Sequence, residues 1–162
     1  MTTIIQGNEL RAIALGVKVE KAYTLAVETK SLFTVSGVVL VTAIVGKVTT
    51  AITVANTVKL QVNPTVGTSS DLCAATDLGS TDTPAGDLIS ISGAPTDAPV
   101  VGIGAAGRFP VRKIGSDFLG GVSGVFVGAG TIDQVTATGA DGVVTWYLTY
   151  VPVEDGASVV AA

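Results

Sequence analysis

Residues 143–151 read Val143-Val144-Thr145-Trp146-Tyr147-Leu148-Thr149-Tyr150-Val151. Successive side chains of a strand point to opposite faces. Val144, Trp146, Leu148 and Tyr150 therefore share one side, and Thr145, Tyr147 and Thr149 the other. A period-two pattern of β-branched and aromatic residues predicts a strand with one face in a core. Trp146 is the expected anchor of that core, because an indole buries more surface than any other side chain. Pro152, which has no N–H to donate, ends the run. Before it, Gly139-Ala140-Asp141-Gly142 is a hairpin signal that points back to a strand over residues 131–137.

The same alternation recurs toward the N-terminus. Ile13, Leu15, Val17 and Val19 alternate with polar positions and predict a strand over 12–20; the competing reading is a short helix from Asn8 to Gly16. Residues 31–36 and 38–45 are apolar runs divided by Gly37, readable as one strand with a bulge at the glycine. Residues 47–54 follow. Val58, Leu60 and Val62 alternate with Thr57, Lys59 and Gln61, and Ala55-Asn56 suits a tight hairpin between the two. Asn63 to Gly67 closes that strand as a turn. Short strands are expected at 71–76 and 87–92, joined by a connection from Asp77 to Gly86. The glycine-dense stretch 93–130 holds only short apolar pieces, at 99–103, 109–114 and 122–127.

About nine to eleven short strands separated by Gly, Pro and Asn turns predict an all-β fold, an antiparallel β-sandwich or barrel, jelly-roll-like, with no helix beyond two turns. The expected organisation is an extended N-terminal arm (1–10), a single β domain (11–153) and a C-terminal tail (154–162) without periodicity.

Composition narrows the function. The chain has 162 residues, of which 48% are hydrophobic and 14% charged, and a net charge of −4. Ordinary soluble domains carry about 25% charged residues. Either neutral Ser, Thr and Gly wet the surface, or much of the surface packs against other copies or another protein; the second reading is favoured. The single cysteine, Cys73, forms no internal bridge and reads as a small buried hydrophobe. With no histidine there is no histidine base and no Cys/His zinc site. Nine Lys and Arg in an acidic chain argue against nucleic acid. The most apolar stretch, residues 32–45, is too short and too broken for a spanning helix, so no membrane partner is expected.

Several patterns resemble chemistry and fail its tests. Gly102-Ile103-Gly104-Ala105-Ala106-Gly107 matches G-x-G-x-x-G, but Pro110 stands where the dinucleotide fold needs a helix. Asp71, Asp77, Asp82 and Asp87 fit neither a calcium loop nor a carboxylate pair for glycoside hydrolysis, and Asp favours turns on its own account. No serine sits in a nucleophile motif. No catalytic residue, cofactor or metal is therefore expected. Arg108, Arg112 and Lys113 form the one local cluster of positive charge, either a docking patch or a solvated strand face.

Four segments carry a family resemblance: Ile4-Ile5-Gln6-Gly7-Asn8-Glu9-Leu10-Arg11-Ala12, the run from Asn63 to Cys73, Gly130-Thr131-Ile132-Asp133, and the run from Trp146 to Pro152 with Glu154-Asp155-Gly156. In these the chain resembles small β-rich virion proteins of tailed bacteriophages. The resemblance implies a structural component of the particle, and in particular a capsid decoration (cement) protein. Such proteins are often β-structured trimers that sit on the outer capsid surface and clamp neighbouring major capsid subunits. That group has no chemical motif, so no catalytic role is carried over. The expectation is a homo-oligomer, a trimer by preference, made in the host cytoplasm and bound to the major capsid protein. Ile4 and Ile5 of the arm, with Arg108, Arg112 and Lys113, are the expected partner contacts. The alternatives are a tail or baseplate component and a β-sandwich module that binds carbohydrate or a host surface.

Overall fold

The computed structural model describes residues 16–79, 81–91, 95–101 and 124–162. Those residues contain no helix and form twelve strands. They are β1 (Val17–Thr24), β2 (Thr29–Ser36), β3 (Val39–Thr50), β4 (Thr57–Pro64), β5 (Ser70–Asp71) and β6 (Thr76–Asp77), then β7 (Leu88–Ser90), β8 (Val100–Val101), β9 (Val125–Val127), β10 (Gly130–Thr136), β11 (Val143–Pro152) and β12 (Ser158–Ala161).

The chain pairs with itself as one long antiparallel ribbon. β1 lies against β11, β2 against β10, β3 against β9 and β7, and β4 against β5 and β6. Wrapping the ribbon sets β11 beside β3 and β10 beside β4. Sheet A then reads β1-β11-β3-β7-β8, with β9 also on β3. Sheet B reads β12-β2-β10-β4-β5, with β6 also on β4. The main strand order is that of a jelly roll, and β8, β9 and β12 are additions to it. Both sheets are open, so the fold is a sandwich and not a closed barrel.

The core follows the alternation of the long strands. Val144, Trp146, Leu148 and Tyr150 of β11 are all buried, as are Val58, Leu60 and Val62 of β4. A bulge between Ile132 and Asp133 on the β2–β10 ladder lets the adjacent Leu32 and Phe33 both go fully buried. Trp146 Nε1 donates to Oε1 of buried Gln134 at 2.8 Å, and Gln134 Nε2 donates to Thr136 Oγ1 at 3.0 Å. This chain of bonds joins the two sheets and satisfies the indole N–H away from water.

Local turn signals misassign several partners. Ala55-Asn56 and the 139–142 segment are turns, yet neither makes a hairpin: each joins a strand of one sheet to a strand of the other. Gly37 likewise is not a bulge in one strand. It takes φ of +71° where the chain leaves sheet B for sheet A, and a Cβ there would meet Ala157 Cβ at 2.9 Å. A turn residue specifies a change of direction but not which strand will pair. The first described strand begins at Val17; Ile13 and Leu15 lie outside the described residues. In place of one strand over 71–76 there are two short pieces on β4, because Leu72 and Cys73 turn into the core between them. The expected tail supplies β12, which pairs with β2 and buries Ala157 and Val159. Four residues are too few to show periodicity in sequence.

Gly46 lies directly opposite Trp146, and a Cβ at Gly46 would meet the indole Cζ3 at 2.9 Å and Val144 Cγ1 at 3.0 Å. Gly46→Val should therefore cost about 1–3 kcal/mol by overpacking. Urea unfolding followed by tryptophan fluorescence measures it, and an unchanged midpoint would contradict this account of the core.

Asp141 pins the β10–β11 connection: its Oδ2 accepts the Thr53 N–H at 2.7 Å and the Thr53 hydroxyl at 2.8 Å. The backbone N–H of Thr53, then its hydroxyl, hold the carboxyl below its ordinary value of 3.8. A carboxyl depressed in the folded state stabilises the fold above its unfolded pKa and loses that contribution as pH falls through the folded one. Thermal melts of Asp141→Asn against the parent should thus differ at neutral pH and converge on acidification below about pH 4.

Candidate functional site

Of the expected partner contacts, Ile4, Ile5, Arg108, Arg112 and Lys113 lie outside the described residues, as do the arm 1–10 and the Gly102–Gly107 run. The aspartates are placed, and they do not converge. Asp71 binds Lys59 Nζ at 2.7 Å. Asp77 Oδ1 accepts the N–H groups of Asn56 and Gly79, each at 2.9 Å. Asp87 is buried where its carbonyl accepts the Val48 N–H at 2.9 Å. These are turn and edge roles. Among the described residues, no group of three or more His, Cys, Asp or Glu is placed to hold a metal ion, and no helix is long and apolar enough to cross a membrane.

Two other groups have identifiable settings. Cys73 is buried, and burial pushes its thiol pKa up, away from the reactive thiolate. Its sulfur accepts the Leu60 N–H at 3.3 Å, a structural role. The Tyr23 hydroxyl donates to Glu28 Oε1 at 2.9 Å. Burial, and then the Glu28 carboxylate, raise its pKa to about 12.

The distinctive surface is the outer face of sheet A. The β3–β11 ladder shifts register twice, skipping Thr42 and Thr49. Each skipped threonine hydroxyl donates to a carbonyl on β11, Thr42 to Thr149 at 3.1 Å and Thr49 to Val143 at 3.2 Å. The shift at Thr42 reverses which residues of β3 face out. Val39 and Val41 are buried on one side of it, and Ile44 and Val48 on the other. Leu40 is thereby turned outward, opposite Phe126 of β9 and Val151 of β11. Phe126, Leu40 and Val151 form one apolar row across three strands, with Phe126 67% exposed and Val151 41%. Further along β3 and β11, Ala43 stands opposite Thr149 and Val45 opposite Tyr147. Tyr147 lies under the Lys18 ammonium, 5.3 Å from the ring centroid. Phe33, Tyr23, Tyr150 and Trp146 are buried in the core, whereas Phe126 is exposed.

A cleft of about 420 Å³ opens beside this row, between β9 and the β4–β5 margin of sheet B. Val62, Pro64, Leu72, Pro95 and Val127 line it, Phe126 borders it, and Ser70 and Asp71 are its polar members.

The outer face of sheet B is polar. Ser31, Asp133, Gln61 and Asp71 follow one another across β2, β10, β4 and β5. Asp133 and Asp71 are two strand spacings apart, roughly 9–10 Å between backbones. Asp71 is held by Lys59, and Asp133 is only 2% exposed. Among the described residues, Asp133 Oδ1 has no hydrogen-bond partner.

Comparison with protein-family models, with curated proteins and with solved structures gave no match for this chain.

A buried acceptor without a donor costs about 1–3 kcal/mol. Asp133→Val, which removes the orphan oxygen and suits a strand, should raise thermal stability. Calorimetry on the pair measures it, and a lowered melting temperature would show that Asp133 has a stabilising partner.

Proposed function

We propose that this chain is a non-enzymatic structural protein of a tailed-bacteriophage virion. In this reading it binds the assembled capsid as a decoration (cement) protein. The supporting observation is the apolar row of Phe126, Leu40 and Val151 on the outer face of sheet A, with Phe126 and Val151 exposed. A large exposed aromatic beside two aliphatics is the kind of centre that interfaces use, with polar groups at the rim. The resemblance of the four sequence segments supplies the particle. The jelly-roll order agrees with it, since viral capsid domains use that architecture, as do lectins; a fold does not by itself fix a function.

The mechanism is selective binding. A protein that binds the assembled lattice and not its free subunits stabilises assembly by mass action, about 2.7 kcal/mol per site at a hundredfold excess over Kd. Copies associate through the apolar face, as a trimer by preference, and clamp neighbouring major capsid subunits. The low charge serves this, because few ions have to be stripped of water at the interface.

The cleft beside Phe126 favours a second reading, a β-sandwich module that holds an apolar or carbohydrate ligand. A glycan array separates the two. A tail or baseplate role is separated by particle location, read from the gene neighbourhood and from labelled virions.

Sedimentation of the full chain tests the packing face. The parent should self-associate at micromolar concentration. Phe126→Asp combined with Val151→Asp should sediment as a smaller folded species than the parent and lose occupancy on purified capsids. A parent chain that stays monomeric and does not bind capsids would overturn the proposal.

A further inference from the structure

Beyond that reading, and independently of it, we infer that β1 is a pairing edge for a second copy of this chain: two β1 strands align antiparallel about a two-fold axis at Val19, setting Lys18 of each copy opposite Glu20 of the other. β1 is the terminal strand of sheet A, with β11 on one side and no described strand on the other. Its eight residues, Val17 to Thr24, contain no proline. Its ladder with β11 runs from Val17 to Thr24 without a register shift, unlike the bulged ladders β2–β10 and β3–β11. A regular edge presents a row of unpaired backbone donors and acceptors, and proteins guard such edges with proline, bulges or charge. Among the described residues, charge is the one such guard on β1.

Those charges are arranged to select a partner rather than to repel all partners. Lys18 and Glu20 share the outer face, bonded to each other at 2.7 Å. Lys21, of the opposite parity, carries its ammonium to the carbonyl of Ala162. In an antiparallel pair about a two-fold axis, opposed residues share a face, so the register moves in steps that keep parity. Centred on Val19, the register faces Lys18 with the partner's Glu20, and Glu20 with the partner's Lys18. One step in one direction puts Lys18 against the partner's Lys18. One step in the other puts Glu20 against the partner's Glu20. Like charges directly opposite destabilise a strand pair, and opposite charges support it. On the core side, the same pairing sets Val19 against the partner's Val19. It also covers Val17, which is 36% exposed at this edge although it has the parity of the buried Tyr23. The pairing extends sheet A in its own plane, whereas the Phe126–Leu40–Val151 row lies on the outer face of that sheet and ends on β11, the strand beside β1, so the two contacts can coexist in one assembly.

A charge-swap series read by sedimentation equilibrium on the full chain tests the pairing. Lys18→Glu alone and Glu20→Lys alone each place like charges opposite one another and should weaken association about tenfold or more. The double variant Lys18→Glu/Glu20→Lys should restore the parental affinity. The decisive arm places the two single variants in the Phe126→Asp/Val151→Asp background, which removes the apolar contact, and mixes them in equal amounts: each is complementary to the other and to neither itself, so heterodimers should form where both separate solutions are monomeric. Added salt should weaken the parental dimer. Both side chains are more than half exposed, so the variants should fold, and circular dichroism checks that they do. Association unchanged by either single swap, or no heterodimer on mixing, would overturn the edge pairing. Association lost with Phe126→Asp but indifferent to the swaps would overturn it while leaving the apolar packing face intact.

Discussion

The structure depends on one long-range constraint, the pairing of the segment that holds β1 to β3 with the segment that holds β9 to β11. No long strand finds its main partner next to it in sequence. β1 lies on β11, β2 on β10, and β3 on both β11 and β9. In sheet B, strands from the two ends alternate outright: β12, β2, β10, β4. Neither segment has a core without the other, because each supplies alternate strands to the same sheets. The Trp146–Gln134 bond ties those sheets together at their centre, and Gly46 leaves the indole its room.

That constraint explains what was legible in the sequence. Strand identity was readable where alternation ran unbroken, as in Val144 to Tyr150 and Val58 to Val62, because period two is a local property of the chain. The all-β class followed from the number and shortness of such runs, which left sandwich and barrel open until the two open sheets decided it. Pairing was not readable. The turns at 55–56 and 139–142 carry hairpin residues, yet the strands beside them part to different sheets. The local signal fixes the bend, and only the complete core fixes the neighbour. β12 was missed for the complementary reason, since its four residues become a strand only against β2.

The candidate surface was less legible than the fold. Residues 38–45 are apolar apart from Thr42, so no alternation marks where the register slips. The slip at Thr42 is what turns Leu40 out to meet Phe126 and Val151, and a threonine hydroxyl able to serve the opposing carbonyl is its one sequence trace. Low charge raises the expectation that surface is covered. It could not say which face. The buried Asp133 was equally hidden, because an aspartate in an alternating run reads as an exposed position.

The order in which the strands are made has a consequence for biosynthesis. β11, the strand between β1 and β3, is synthesised more than a hundred residues after β1. At about 5–20 residues per second, that stretch of chain waits several seconds with its apolar stripes unmatched. The decisive pairing is thus late, and slow by the measure of contact order. Until β11 emerges, those stripes are exposed to other chains.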